Sequence, residues 1–180
     1  MKKSILALAL LLPLAFGCKK DNDTEASIDF GAGEGVSYRD FSNRPMAFTD
    51  PTDWTSDGQW KDREKALFTF DVPVNLDGAQ LGGVTNMSVY PNPIAPGSDG
   101  IFHFNSAHAG RAKLIWVDKN YHVLNSNDFA FTAGGSLQVK YEFQEATFPK
   151  EQKYRLYYVL YKADGTLIYK GHGDVHIHQQ

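Results

Sequence analysis

Near its end the sequence reads HGDVHIH, which sets His172, Asp174, His176 and His178 at alternating positions. Imidazole and carboxylate are common protein ligands of zinc, which takes four protein ligands in structural sites and three plus water in catalytic ones. If the stretch is a β-strand, the four side chains share one face, with neighbours about 7 Å apart. A His-x-His pair in that arrangement can share one ion, and Asp174, His103 or His108 could supply a further ligand. The same residues would also serve as solvated side chains on a terminal edge strand, where polar groups discourage aggregation. The expectation is a chain that needs no cofactor beyond a lipid, with zinc at these four residues as the alternative.

Other reactive constellations are thinner. Cys18 is the single cysteine, and no Gly-x-Ser-x-Gly elbow marks a serine nucleophile. Asp62 and Glu64 fall on an expected exposed helical turn, where solvation explains them. Asp50, Asp53 and Asp57 crowd one loop but lack the spaced oxygens and closing glutamate of an EF-hand. The glycine-rich DFGAGEG, residues 29–35, is followed by no Gly-Lys-Ser/Thr and reads as linker rather than phosphate cradle. The chain is not expected to be an enzyme. Of the tryptophans, Trp116 lies inside LIWVD and reads as core. Trp54 and Trp60 flank a loop and are the candidates for ligand or partner contact, such as sugar stacking, because indoles often form recognition hot spots. Packing of a helix onto the core is the other reading of that pair.

The elements that must hold these residues follow from the patterning. DPTDWTSDGQWKDREKALFTFD offers one helix, capped by Ser56 or Asp57, with Trp60, Glu64, Leu67 and Phe68 at helical spacing. From Val84 onward the period changes to two. IFHFNS, AKLIWVD, YHVLN, SLQVKYEF, YRLYYVLYK, TLIYKG and DVHIH read as short strands, separated at several points by turn chemistry such as Ala133-Gly134-Gly135 and Ala163-Asp164-Gly165. Leu137, Val139, Tyr141 and Phe143 share one face of a half-buried strand. YRLYYVLYK is apolar on both faces and belongs at the centre, as one arm of a hairpin with TLIYKG. The fold class is mainly β: an antiparallel, immunoglobulin-like β-sandwich with one short N-terminal helix. The expected divisions are a signal peptide at 1–17, a lipidated flexible tether at 18–35, a segment at 36–86 whose short helix packs on the sandwich, and the sandwich itself at 87–180.

The formal net charge of −3, without a basic stripe, argues against nucleic acid as a partner. Met1–Lys3 is cationic, and the apolar run Ile5–Phe16 is shorter than the roughly 20 residues that cross a bilayer, so it reads as a secretory signal. LAFGC resembles the lipobox of bacterial lipoproteins, which implies cleavage before Cys18 and lipidation of its thiol. A diacylated or triacylated cysteine supplies the several chains that stable anchoring needs. Lys19 stands where an aspartate would retain an enterobacterial lipoprotein at the inner membrane, and KKDNDTEAS is similar to the surface-export signals of Bacteroidota lipoproteins. The localisation implied is the outer membrane, in either leaflet.

Val89–Pro93 reads VYPNP, whose prolines cannot donate to a ladder and so mark an edge or a domain entrance. Together with AKLIWVDKNYHVL it resembles the Ig-like modules of type IX secretion sorting domains and of flagellar hook-cap proteins. Asn120 stands where the strand turn of those modules carries glycine, and asparagine tolerates a left-handed backbone. The resemblance implies a place and a fold, with no reaction attached. The functional expectation is a non-catalytic accessory or interaction subunit at the envelope, bound to the membrane by lipid and to an outer-membrane protein. A carbohydrate- or metal-binding module for nutrient capture is the alternative.

Overall fold

In YRLYYVLY, residues 154–161, Arg155 is the only charged side chain, so a strand built from this run must bury both faces. The computed structural model, which describes residues 27–31 and 35–179, arranges the chain around that requirement. Its elements are β1 (Thr55–Ser56), α1 (Asp62–Lys65), β2 (Val84–Tyr90), β3 (Asp99–Ser106), β4 (Gly110–Val117), β5 (Val123–Phe131), β6 (Ser136–Glu142), β7 (Gln152–Tyr161) and β8 (Leu167–Ile177). They form two antiparallel sheets, one of five strands in the order β1-β8-β7-β4-β5 and one of three in the order β2-β3-β6. The fold is mainly β, an antiparallel sandwich with one short helix.

Two cores result. Between the sheets, Leu114, Trp116, Leu156, Tyr158 and Val175 of the larger sheet meet Val89, Phe102, Phe104 and Tyr141 of the smaller. Trp116 stands edge-on to Tyr141, Phe143 and Phe148, an arrangement that suits the ring quadrupoles. On the other side of the larger sheet, Ile115, Tyr157, Val159 and Tyr161 are covered by Ile28, Trp60, Phe68 and Leu76. Alternate residues of β7 therefore go to opposite cores, as a period of two requires. Its central position between β8 and β4, and its hairpin with β8, match the reading of its sequence.

Several boundaries differ from the sequence reading. TLIYKG and DVHIH form one continuous strand, β8, and β2 is an additional strand. Tyr90 ends β2, which is an edge strand, as the prolines of VYPNP required. The helix is only one turn long and begins after Lys61, because Thr55 and Ser56 pair with His172 and Gly171 of β8 instead of capping a helix. The left-handed residue after β4 is Tyr121, with φ of 64°, rather than Asn120. The tether also ends earlier than residue 35. The Ile28 N–H donates to Lys119 O at 2.7 Å and the Ile28 side chain is buried. No helix among the described residues is long and apolar enough to cross a membrane. The expected signal peptide, 1–17, and the candidate lipidation site Cys18 lie outside the described residues.

Candidate functional site

Strand alternation does put His172, Asp174 and His176 on one face of β8, across from Tyr157, Arg155 and Lys153 of β7. Their partners nevertheless separate them. The His172 ring meets Asp57, with Nδ1 2.8 Å from Oδ2, and the same carboxylate oxygen accepts the Trp60 Nε1–H at 2.7 Å. Asp174 is almost fully buried and receives the Arg155 guanidinium through two bonds, at 2.7 and 2.6 Å. His178 Nδ1 lies 2.7 Å from Glu151 Oε2, and the rings of His176 and His178 stack with centroids 5.1 Å apart. The candidate metal set is thereby corrected. His172 and Asp174 are held by other partners, while Glu151, His176 and His178 bring one ligand atom each to within 4.8 Å of one another. His103 bonds Asn86 O and Ser136 in the smaller sheet, and His108 lies in the turn between β3 and β4. β8 is also no terminal edge, since β1 covers part of its outer side.

Glu151 was missed because it precedes the apolar run of β7 and carries no periodic signal. Hairpin register exposes it: counting outward from the Ala163-Asp164-Gly165 turn, across one bulge, sets Gln152 opposite Ile177. Glu151 then falls beside His178. The hydrogen bond from His178 holds its carboxyl below the usual value, despite some opposing desolvation.

Beneath the His172–Asp174 stretch runs a buried polar network. Asp53 accepts the N–H of Ser37 at 2.7 Å on one oxygen and that of Asp174 at 2.9 Å on the other. Asn92, from YPNP, donates to Ser37 O and Asp174 O, both at 2.9 Å, and accepts the His176 N–H at 3.1 Å. These bonds tie the 36–54 segment to β8. Burial, joined by the negative charge of Asp174 and more weakly of Asp50, pushes Asp53 up to about 7 against the lowering effect of its two N–H donors. Folded protein then keeps a proton that the unfolded chain has released, so stability is highest below pH 4 on this group's account and declines as pH rises to about 7. The unfolding free energy of Asp53→Asn is expected to show a flatter slope across that window than wild type, read by urea titration at a series of pH values. Equal slopes would mean that Asp53 is ionised throughout.

Of the two readings of Trp54 and Trp60, the structure supports core packing over ligand or partner contact. Trp54 is 7% exposed and Trp60 5%, so neither indole offers a face for a sugar. Trp54 stacks on Tyr158, centroids 6.5 Å apart, while Trp60 stacks on Phe68 at 5.3 Å and meets Tyr157 edge-on at 5.4 Å. Both are core residues: Trp54, next to β1, enters the core between the sheets, and Trp60, just before the one-turn helix, covers the other face of the larger sheet. The acidic loop is likewise dispersed: Asp50 caps Thr52, Asp53 joins the network and Asp57 serves Trp60 and His172.

Among the described residues, three of the five exposed large apolar side chains lie on a hairpin-like loop at residues 38–48, the other two being Leu81 and Val123. Tyr38 N donates to Phe48 O at 2.8 Å, Met46 N to Tyr38 O at 2.9 Å and Asp40 N to Arg44 O at 3.0 Å. Asp40 Oδ1 accepts the N–H groups of Ser42 and Arg44, which rigidifies the tip. Those contacts, Arg44's first, hold its carboxyl below the usual range. Phe41, Met46 and Phe48 are left 76%, 52% and 49% exposed. Phe41 lines an open groove of about 570 Å³ with Tyr90, Pro91, Ile101 and Lys140.

No family profile matches the chain, and no curated protein matches it either. Among solved structures, the Pseudomonas fluorescens alkylpurine DNA glycosylase AlkC, bound to DNA containing an abasic-site analogue, aligns at 11% identity with a TM-score of 0.32. The alignment covers 58% of this chain and 32% of the glycosylase chain, a likeness too slight to carry an argument about fold or activity.

Proposed function

We propose that the chain is a non-catalytic outer-membrane lipoprotein whose sandwich serves as a protein-interaction subunit. The anchor in this reading is lipid on Cys18, supported by the lipobox-like LAFGC. The observation that carries the interaction role is the 38–48 loop. A folded chain gains by covering large apolar side chains, so three of them exposed on one internally bonded loop favour a docking role. The loop's own hydrogen bonds, together with the Asp40 cap, preorganise it, which lowers the entropic cost of association. Phe41 at the tip is the expected anchor residue, with the Tyr90–Ile101 groove beside it receiving a partner side chain.

The test is a gentle-detergent pull-down of the full-length protein from its own membranes, compared with Phe41→Ser and Cys18→Ala. Wild type is expected to recover an outer-membrane protein in stoichiometric amount. Phe41→Ser, exposed and outside both cores, should keep its melting temperature and lose at least about tenfold of that recovery, as an interface hot spot would. Cys18→Ala should leave the membrane fraction. Undiminished recovery with Phe41→Ser would remove the loop from the interface, and membrane retention of Cys18→Ala would remove the anchor.

A further inference from the structure

We infer that Glu151, His176 and His178 form a binding site for one divalent transition-metal ion, of the zinc class. The donor set is two imidazoles and a carboxylate, which matches zinc and its neighbours better than calcium or magnesium, whose ligands are oxygens. One ligand atom from each residue lies within 4.8 Å of the others. On a tetrahedral zinc with bonds near 2.05 Å, ligand atoms stand roughly 3.3 Å apart. Side-chain rotation has that difference to close, and His178 Nδ1 and Glu151 Oε2 already stand 2.7 Å apart.

The backbone beneath the three is fixed on both flanks. Glu151 N donates to Ile177 O at 2.7 Å, which locks the start of β7 against the end of β8. On the opposite side Ile94 N donates to His176 O at 2.9 Å and His178 N to Ile94 O at 3.0 Å. His176 and His178 are two residues apart with rings inclined by only 24°, so both imidazoles face the same way. Glu151 itself holds a left-handed backbone with φ of 59°, uncommon for a residue with a side chain. Such a conformation persists where its surroundings over-determine it, and it is frequent where a side chain must be aimed.

Solvent reaches the cluster, since the His178 and Glu151 side chains are 45% and 54% exposed. An ion therefore has an entry path, and with three protein ligands a fourth position stays open to water or to a ligand atom from elsewhere. The hydrogen bond now joining His178 and Glu151 is what a metal would replace, with both groups as direct ligands. A metal competes with protons for each ligating imidazole nitrogen, so affinity should weaken in acid.

The experiment uses the full chain purified without a histidine tag, stripped with a chelator and dialysed. Zinc is titrated by calorimetry and cobalt by visible absorption, with thermal melts of every variant. One ion per chain is expected, with cobalt bands of a four-coordinate site. Glu151→Gln, at an exposed position, and His178→Ala, at a half-buried one outside both cores, should each weaken binding at least about tenfold while melting near wild type. His103→Ala, in the other sheet, should bind as wild type does. A zinc-dependent rise in melting temperature, absent in His178→Ala, would agree by mass action. Absence of saturable binding at about millimolar metal would overturn the inference, as would binding undiminished in the His176→Ala/His178→Ala double variant.

Discussion

Replacing Arg155 by methionine is expected to cost about 3–5 kcal/mol of folding stability, the usual loss when one partner of a buried ion pair is removed. The side chains of Arg155 and Asp174 are only 10% and 2% exposed, and two hydrogen bonds join them. Burial alone would lower the basicity of Arg155, but the bond and charge of Asp174 outweigh it and hold the guanidinium above its ordinary value. Without the arginine, Asp174 is left in a site where its side-chain oxygens have lost those two donors. The same guanidinium donates to Asp29 O at 3.2 Å and lies 5.5 Å from the Phe30 ring centre, so docking of the 28–30 segment loosens with it. Urea unfolding at pH 7 measures the loss, and it should be nearly independent of salt because the pair is shielded from bulk ions. Adding Asp174→Val to Arg155→Met should recover most of it, since removing both charges leaves none unpaired. A loss below about 1 kcal/mol for the single variant would put the pair in the class of exposed bridges.

Trp54→Ala is expected to lose a comparable amount, about 3–5 kcal/mol, as large-to-small changes at buried aromatics do. Trp54 fills the space above Gly173, where even a Cβ would run into the indole ring, and packs against Phe102 and Tyr158. Its Nε1 has no hydrogen-bond partner among the described residues, so Trp54→Phe gives up no polar contact seen there and should cost markedly less than alanine. Thermal melts of the two variants discriminate core from contact surface. If Trp54→Ala melts with wild type, the indole is not part of the core and its recognition role returns.

The strands were largely legible because their period survives in the residues. SLQVKYEF became β6 with Leu137, Val139 and Tyr141 on the inward face, and the doubly apolar YRLYYVLYK became the central strand. The break between TLIYKG and DVHIH was a misreading of glycine. Gly171 and Gly173 interrupt the apolar pattern, yet they sit inside β8, where Thr55 and Trp54 approach so closely that no side chain fits. Local sequence cannot reveal that approach, since the approaching residues are more than a hundred positions away. The helix was over-extended for a related reason: Asp57 looked like a cap, and pairing with His172 and Trp60 claimed it instead. The metal candidates were half legible. Two histidines of HGDVHIH remain together, whereas Asp174 was taken by an arginine of the neighbouring strand and Glu151 entered through hairpin register.

The second core bears on what counts as a unit of this protein. Ile115, Tyr157, Val159 and Tyr161 are covered by residues that precede β2, and Asn92, Asp53 and Asp174 stitch the same early segment to the last strand. A fragment cut at residue 86 would keep β3 to β8 whole, shorten β2, and bare the face of the larger sheet that carries Ile115, Tyr157, Val159 and Tyr161. Such a fragment would offer a sticky plane to its own copies. The early segment is therefore part of the sheet's own core, and the division between 36–86 and 87–180 is a seam in the sequence without being a seam in the folded object.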